Sequence, residues 1–134
     1  MQNHHHEDAI WNRACLQPIR THLGDRMLSD LLQAHGRVMN GGVLHAAECL
    51  SDSELQDALA ALSFYGLESA AEILSRAKEV IRSDEDPELY EERLDAAYFK
   101  VIPDDECIVQ KFKIQFLSNP AAYAPAASDW LSCW

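Results

Sequence analysis

Histidines near carboxylates are the first residues in this chain that could do chemistry, because imidazole and carboxylate groups together bind transition metals. The chain has six histidines, and His45 with Glu48 forms an i, i+3 pair that would share one face of a helix. The sequence contains no H-E-x-x-H motif or comparable ligand spacing. We therefore predict no bound metal and no cofactor. A metal-dependent enzyme that uses His45 and Glu48 is the functional alternative with the least support.

Nucleophiles and phosphate-binding loops also lack their usual surroundings. No serine lies in a G-x-S-x-G motif, and the four cysteines form no C-x-x-C pair. Asn40-Gly41-Gly42 lacks the following Lys-Ser/Thr of a phosphate loop, so we predict a turn between helices. Cys15, Cys49 and Cys107 have apolar neighbours, and we expect reduced thiols in the core. These patterns predict a protein that is not an enzyme.

Carboxylates are concentrated in the stretch from Asp84 to Glu106, which contains ten of them against two basic residues. This local formal charge of −8 accounts for most of the −11 of the whole chain. Four carboxylates recur at i, i+3, i+4 and i+7, so that in a helix they would form one acidic stripe with neighbours about 5–6 Å apart. The acidic stripe consists of Glu88, Glu91, Glu92 and Asp95. The negative surface would be extended at the two ends of that helix by Asp84, Glu85, Asp104 and Asp105.

The acidic stripe has a structural and a functional interpretation. Acidic side chains in the first turn of a helix stabilise it by about 0.3–1 kcal/mol each, which accounts for Glu88 without a partner. Glu91, Glu92 and Asp95 lie beyond the first turn and repel one another. Four charges along about 10 Å of helix resemble a few phosphates of duplex DNA, which carries one charge per about 1.7 Å. We therefore predict that the stripe binds a basic protein surface, and solubility is the simpler alternative.

The composition narrows the partners and the compartment. The pI is near 4.8, whereas nucleic acids and anionic membranes attract basic proteins, so we predict that the chain binds neither. No run approaches the roughly 20 apolar residues that cross a bilayer, and the first residues do not form a secretion signal. We expect a cytoplasmic protein.

Nearly every segment has the apolar spacing of a helix. We predict one all-α domain, residues 1–134, with six to seven helices and short connections. Residues 1–6 are expected to be disordered, and residues 121–134 to form an irregular tail that docks through Trp130, Leu131 and Trp134. The predicted helices are Glu7–Leu16, Asp25–His35, Val43–Leu50, Leu55–Tyr65, Leu67–Arg82, one that begins at Asp86-Pro87, and one from Pro103-Asp104 to Asn119-Pro120.

Residues at the helix boundaries support this assignment. Ser51-Asp52-Ser53-Glu54 has the pattern of a capping box, and Asp86-Pro87 is typical of a helix start. Gly36 is expected to end the second helix and to open a loop that continues to Gly42. The last helix is expected to bury Ile108, Val109, Phe112, Phe116 and Leu117.

Four segments of the chain resemble a bacterial family of small acidic helical proteins whose best-known type is a DNA-mimic protein. The segments are residues 38–43, 62–74, 94–99 and 116–120. The resemblance implies an all-helical fold without enzymatic activity. The type member of the family binds a helix-turn-helix transcription factor by imitating the charge of DNA, and the resemblance implies a similar role here. Asn40, Gly41 and Gly42 are carried over as a structural signature of the family.

The leading hypothesis from the sequence is a non-enzymatic protein-interaction module. It would be a DNA mimic whose acidic stripe binds a basic DNA-binding regulator. The alternative is an immunity protein that neutralises a toxin, because such proteins are also small, acidic and specific for one partner.

Overall fold

The computed structural model describes residues 2–125, with side chains from His6 onward. In this range the protein is all-α, with seven α-helices followed by a 3-10 turn at Pro120–Ala122 and no strand. The helices are α1 Gln2–Leu16, α2 Leu23–Gly41, α3 Val43–Cys49, α4 Asp52–Phe64, α5 Glu68–Arg82, α6 Glu88–Val101 and α7 Asp105–Ser118. The predicted fold class and number of helices are confirmed.

Helix α2 is longer than the sequence predicted. Gly36 does not end it; the helix continues to Gly41, and the chain turns at Gly42 with φ 96°. Gly36 is exposed, whereas Ala34 and Val38 on either side of it are buried. The burial of these neighbours outweighs the cost of about 0.5–1 kcal/mol that glycine imposes on a helix. The predicted loop from Gly36 is therefore wrong.

Side-chain caps set several of the helix starts. The Ser51 hydroxyl accepts from the Glu54 N–H at 3.1 Å, and the Glu54 carboxylate accepts from the Ser51 N–H at 2.9 Å. This reciprocal pair is the predicted capping box at the start of α4. At the start of α7, Asp104 Oδ1 accepts from the N–H of Cys107 at 3.1 Å and caps the helix with this one hydrogen bond.

Buried apolar residues from all seven helices form one hydrophobic cluster. Helix α2 contacts α1, α3 and α4, while α5 packs against α3, α4 and α6. Ile108, Phe112 and Phe116 of α7 are buried as predicted, but Leu117 is 62% exposed. The predicted burial of the cysteines is also wrong, because Cys15 and Cys49 are exposed and Cys107 is only half-buried. Apolar neighbours in sequence do not decide which side of a helix faces the core.

The first and last described parts of the chain meet at a buried carboxylate. Asp25 is 1% exposed, and its two oxygens bind the Arg13 guanidinium at 2.7 Å and the Ala124 N–H at 2.7 Å. The ring of the adjacent Tyr123 lies so close to Gly24 that a Cβ there would be 2.5 Å from it. Helix α1 begins at Gln2, so it includes residues that we expected to be disordered. The residues predicted to dock the tail lie outside the described range: Trp130, Leu131 and Trp134.

Candidate partner-binding surface

Helix α6 carries the predicted acidic stripe, and its buried side orients it. Leu94 and Tyr98 are buried, and the helix packs against α3 and α5. At its first turn, Asp86 Oδ1 accepts from the N–H of Glu88 at 3.1 Å, so the predicted Asp-Pro start signal provides a side-chain acceptor here. The opposite side of the helix faces solvent.

Three glutamates of the stripe are open to solvent. Glu88, Glu91 and Glu92 are all exposed, and none of them forms an ion pair with a lysine or arginine of the described chain. We call these three residues the open glutamates. Arg93 follows them directly, but its guanidinium carbon lies 5.8 Å from the centre of the Tyr90 ring, where a cation is attracted by the ring face. The open glutamates therefore present charges that no ion pair within the described residues neutralises.

Asp95 differs from the open glutamates. It is half-buried, and its Oδ1 accepts a hydrogen bond from the backbone N–H of Val43 at 2.9 Å. This N–H belongs to the first residue of α3, which has no side-chain cap of its own. Asp95 thus serves as the cap of another helix. The sequence could not reveal this contact, because the two residues are 52 positions apart.

The flanking carboxylates lie where the sequence placed them, at the two ends of α6. Asp84 and Glu85 are exposed in the turn before it, and a hydrogen bond to Glu85 raises the pKa of the Tyr90 hydroxyl. Asp104 is exposed as the cap of α7, and Asp105 is exposed as the first residue of that helix. Helix α6 has 14 residues, so the two groups are separated by about 20 Å along its axis.

Asp105 also belongs to a hydrogen-bonded chain that reaches the core. His35 Nε2 lies 3.1 Å from Asp105 Oδ1, and His35 Nδ1 lies 2.7 Å from the Tyr98 hydroxyl. Since a carboxylate only accepts, Nε2 carries the proton towards Asp105, and in the neutral ring Nδ1 then accepts from the tyrosine. Burial, with the nearby Cys107 and Asp105, raises the pKa of Tyr98 well above its ordinary value. This chain joins α2, α6 and α7, and the sequence analysis missed it.

The Asn-Gly-Gly signature gains a structural explanation. Only Gly42 leaves the helix, at φ 96° and ψ 175°, and a Cβ there would lie 3.1 Å from both carboxylate oxygens of Asp95. Gly41 remains helical, and a Cβ there would lie 2.6 Å from the ring of His45. The two glycines make room for two different side chains. Asn40 is exposed at the end of the same helix.

Among the described residues, the His45–Glu48 pair has no third ligand with which it would form a metal site. In the part of the chain that the structure describes, no group of three or more His, Cys, Asp or Glu side chains is arranged to hold a metal ion. The ring of His45 instead lies beside Cys49, with its nitrogens 3.5 and 3.8 Å from the sulfur.

None of the helices within residues 2–125 combines the length and apolar character that a bilayer crossing requires.

Comparison with known protein families decides the family. The family model described as DMP19-like protein, where DMP19 denotes DNA mimic protein 19, matches residues 21–113. The chain belongs to the DMP19-like protein family. The match includes α2 to α6 and most of α7, and therefore the whole acidic stripe, the flanking carboxylates and the Asn-Gly-Gly signature. The family resemblance inferred from the sequence is confirmed. Neither the search of curated proteins nor the search of solved structures gave a match.

Proposed function

We propose that this protein is a non-enzymatic cytoplasmic interaction module that binds a basic protein surface through the open glutamates. Asp84, Glu85, Asp104 and Asp105 extend this surface at the two ends of α6. The favoured partner is a DNA-binding regulator, whose cationic groups are spaced to contact phosphates.

One observation carries the proposal: Glu88, Glu91 and Glu92 are exposed and without an ion pair in the described chain. Carboxylates one turn apart repel each other, and like-charge pairs at this spacing weaken a helix by a few tenths of a kcal/mol. The sequence predicted that Glu91 lies beyond the first turn of the helix, but Glu91 shares the first turn of α6 with Glu88, so Glu92 is the open glutamate that the helix N-terminus compensates least. A cationic partner supplies the compensation that no ion pair in the described part of the chain provides.

The energies expected for such contacts are small one by one. An exposed ion pair contributes about 0.2–1 kcal/mol, so three of them change an affinity by roughly tenfold. Their larger effect is on the rate of encounter, which falls with ionic strength because charges separated by more than about 10 Å are screened at 0.1 M salt. The binding should therefore be strong at low salt and weaken steeply as salt is added.

Membership of the DMP19-like protein family supports a partner that binds DNA, and the geometry is compatible with this choice. Exposed carboxylates at both ends of α6 and along it place negative charge over about 20 Å. This length corresponds to a little more than half a turn of duplex DNA, whose half-sites are spaced by about 34–36 Å per turn. A partner that binds this surface should use the cationic groups with which it binds DNA.

Affinity capture with matched variants tests the proposal. The test variant is Glu88→Gln/Glu91→Gln/Glu92→Gln. The control also removes three negative charges, but from exposed positions on α1, α4 and α5: Asp8→Asn, Asp57→Asn and Glu72→Gln. Each protein is immobilised, lysate of the source cells is applied at low and high salt, and the captured protein is identified by mass spectrometry. We expect about tenfold weaker capture by the test variant, and capture by the control close to that of the parent.

The identity of the captured protein then distinguishes a DNA-binding regulator from a toxin. Purified partner should be displaced from the open glutamates by duplex DNA that carries its binding site. Equal capture by the test and control variants would show that the position of the three charges does not matter, and would contradict the proposal. A captured toxin whose activity is abolished, without competition from DNA, would instead support the immunity protein.

A further inference from the structure

Cys49 and His45 form a pair that is separate from the acidic surface. Cys49 is exposed at the C-terminal end of α3, and His45 lies one turn before it. The Cys49 sulfur is 3.5 Å from His45 Nε2 and 3.8 Å from Nδ1. In either tautomer of the neutral ring, one of these two nitrogens carries no proton and can accept from the thiol.

The position of the His45 ring is set by its neighbours. Its Cγ and Cδ2 atoms pack against Gly41, so closely that a Cβ added to Gly41 would lie 2.6 Å from both atoms. The two ring nitrogens are near Cys49, and within the described chain they have no other hydrogen-bond partner. The imidazole is thus held beside the thiol.

The ammonium group of Lys78 lies at the C-terminal end of α3. The C-terminus of a helix has a negative partial charge, which would oppose a thiolate at Cys49. Lys78 Nζ donates to the carbonyl oxygens of Ala47 and Leu50, both at 2.9 Å, on either side of Cys49 in the sequence. This ammonium group offsets the partial negative charge of the helix end at which Cys49 lies.

The other described cysteines lack this arrangement. Cys15 is exposed, forms no hydrogen bond with a described residue, and its pKa is raised by partial burial. Cys107 is half-buried, and its thiol lies 3.6 Å from the carbonyl oxygen of Val101. Cys15 therefore serves as an internal reference for an exposed thiol without a neighbouring base.

We propose that Cys49 is a peroxide-reactive thiol and that His45 is its general base. His45 takes the thiol proton, and the thiolate attacks one oxygen of hydrogen peroxide. The S–O bond forms as the O–O bond breaks, and the leaving hydroxide takes the proton from the imidazolium to give water. The sulfur loses two electrons and becomes a sulfenic acid, while the peroxide is reduced.

Trapping of the sulfenic acid tests this proposal on the intact chain. The protein is treated with hydrogen peroxide at pH 7 in the presence of a chelator and dimedone, and each cysteine is quantified by peptide mass spectrometry over time. We expect Cys49 to be labelled roughly tenfold or more faster than Cys15. His45→Gln should bring the rate at Cys49 close to that at Cys15, whereas His22→Gln should leave it unchanged.

Two results would overturn the proposal. One is equal labelling of Cys49 and Cys15 in the parent protein, a comparison that needs no substitution and so does not depend on the folding of a variant. The other is an unchanged rate at Cys49 in a folded His45→Gln protein, as judged by its circular dichroism. Neither result bears on the acidic surface, so failure here leaves the proposed binding function intact.

Discussion

The carboxylate of Asp95 accepts a hydrogen bond from the backbone N–H of Val43 at 2.9 Å, and this contact links the acidic helix to the family signature. Val43 begins α3 immediately after Gly42, the residue whose backbone turns the chain. The orientation of α6, and hence of the open glutamates, is therefore tied to the Asn-Gly-Gly segment. Asp95 belongs to the acidic stripe by its spacing in the sequence, but in the structure its carboxylate caps α3.

Asp95→Ala should destabilise the protein by about 0.5–2 kcal/mol, because it removes the cap from α3 and leaves a partly buried N–H unpaired. Glu92→Ala is the matched control on the exposed side of α6, with an expected change within about 0.5 kcal/mol. Urea unfolding followed by circular dichroism measures both. If the two variants unfold at the same urea concentration, Asp95 does not contribute to stability as the structure indicates.

Gly42→Ala and Gly36→Ala should have opposite effects. Gly42 has φ 96° and ψ 175°, a backbone region that is almost restricted to glycine, so alanine there should cost about 1–3 kcal/mol. Gly36 lies in a helix, and a Cβ added there would meet nothing within 4 Å, so alanine should stabilise by about 0.5–1 kcal/mol. Thermal unfolding of the two variants checks this. A lower melting temperature for Gly36→Ala would contradict the continuous helix α2.

Leu74→Ala should destabilise by about 2–5 kcal/mol through a cavity, because Leu74 is 1% exposed in the core face of α5. Leu117→Ala makes the same chemical change at a side chain that is 62% exposed, and its effect should stay within about 0.5 kcal/mol. Chemical unfolding distinguishes the two positions. A large loss of stability for Leu117→Ala would restore the burial that the sequence predicted for it.

The capping box should make stability depend on pH in the acidic range. Hydrogen bonds from the backbone and side chain of Ser51 lower the pKa of Glu54 in the folded state. A lowered folded-state pKa gives stability that is present above the ordinary carboxyl pKa and is lost as the pH falls through the folded value. Glu54→Gln should therefore be less stable than the parent at pH 7, and the difference should shrink as the pH is lowered. Melting temperatures at pH 7 and in acid measure this, and a difference that grows in acid would contradict it.

Features encoded by neighbouring residues were predictable from the sequence, whereas features that depend on distant residues were not. Ser51 and Glu54 are three positions apart and satisfy each other, so the start of α4 could be predicted without the fold. The sequence predicts a helix end at Gly36 because glycine is a poor helix former, but buried side chains on either side keep the helix intact.

Some features of the candidate surface were predictable from the sequence, and others were not. The spacing of Glu88, Glu91 and Glu92 predicted a shared exposed face, since helical periodicity is local. The role of Asp95 and the hydrogen bonds of His35 to Tyr98 and Asp105 depend on residues 52 to 70 positions away. Such contacts arise from the packing of α2, α3, α6 and α7, which no local pattern specifies.

The contact between Asp25 and Ala124 also constrains how the protein is made. Arg13 and Asp25 are synthesised early, yet the second oxygen of this buried carboxylate obtains its backbone donor only from residue 124. Residue 124 must therefore leave the ribosome before Asp25 has both of its partners. Until then, the hydrogen bond that joins the start of α2 to the end of the described chain is missing.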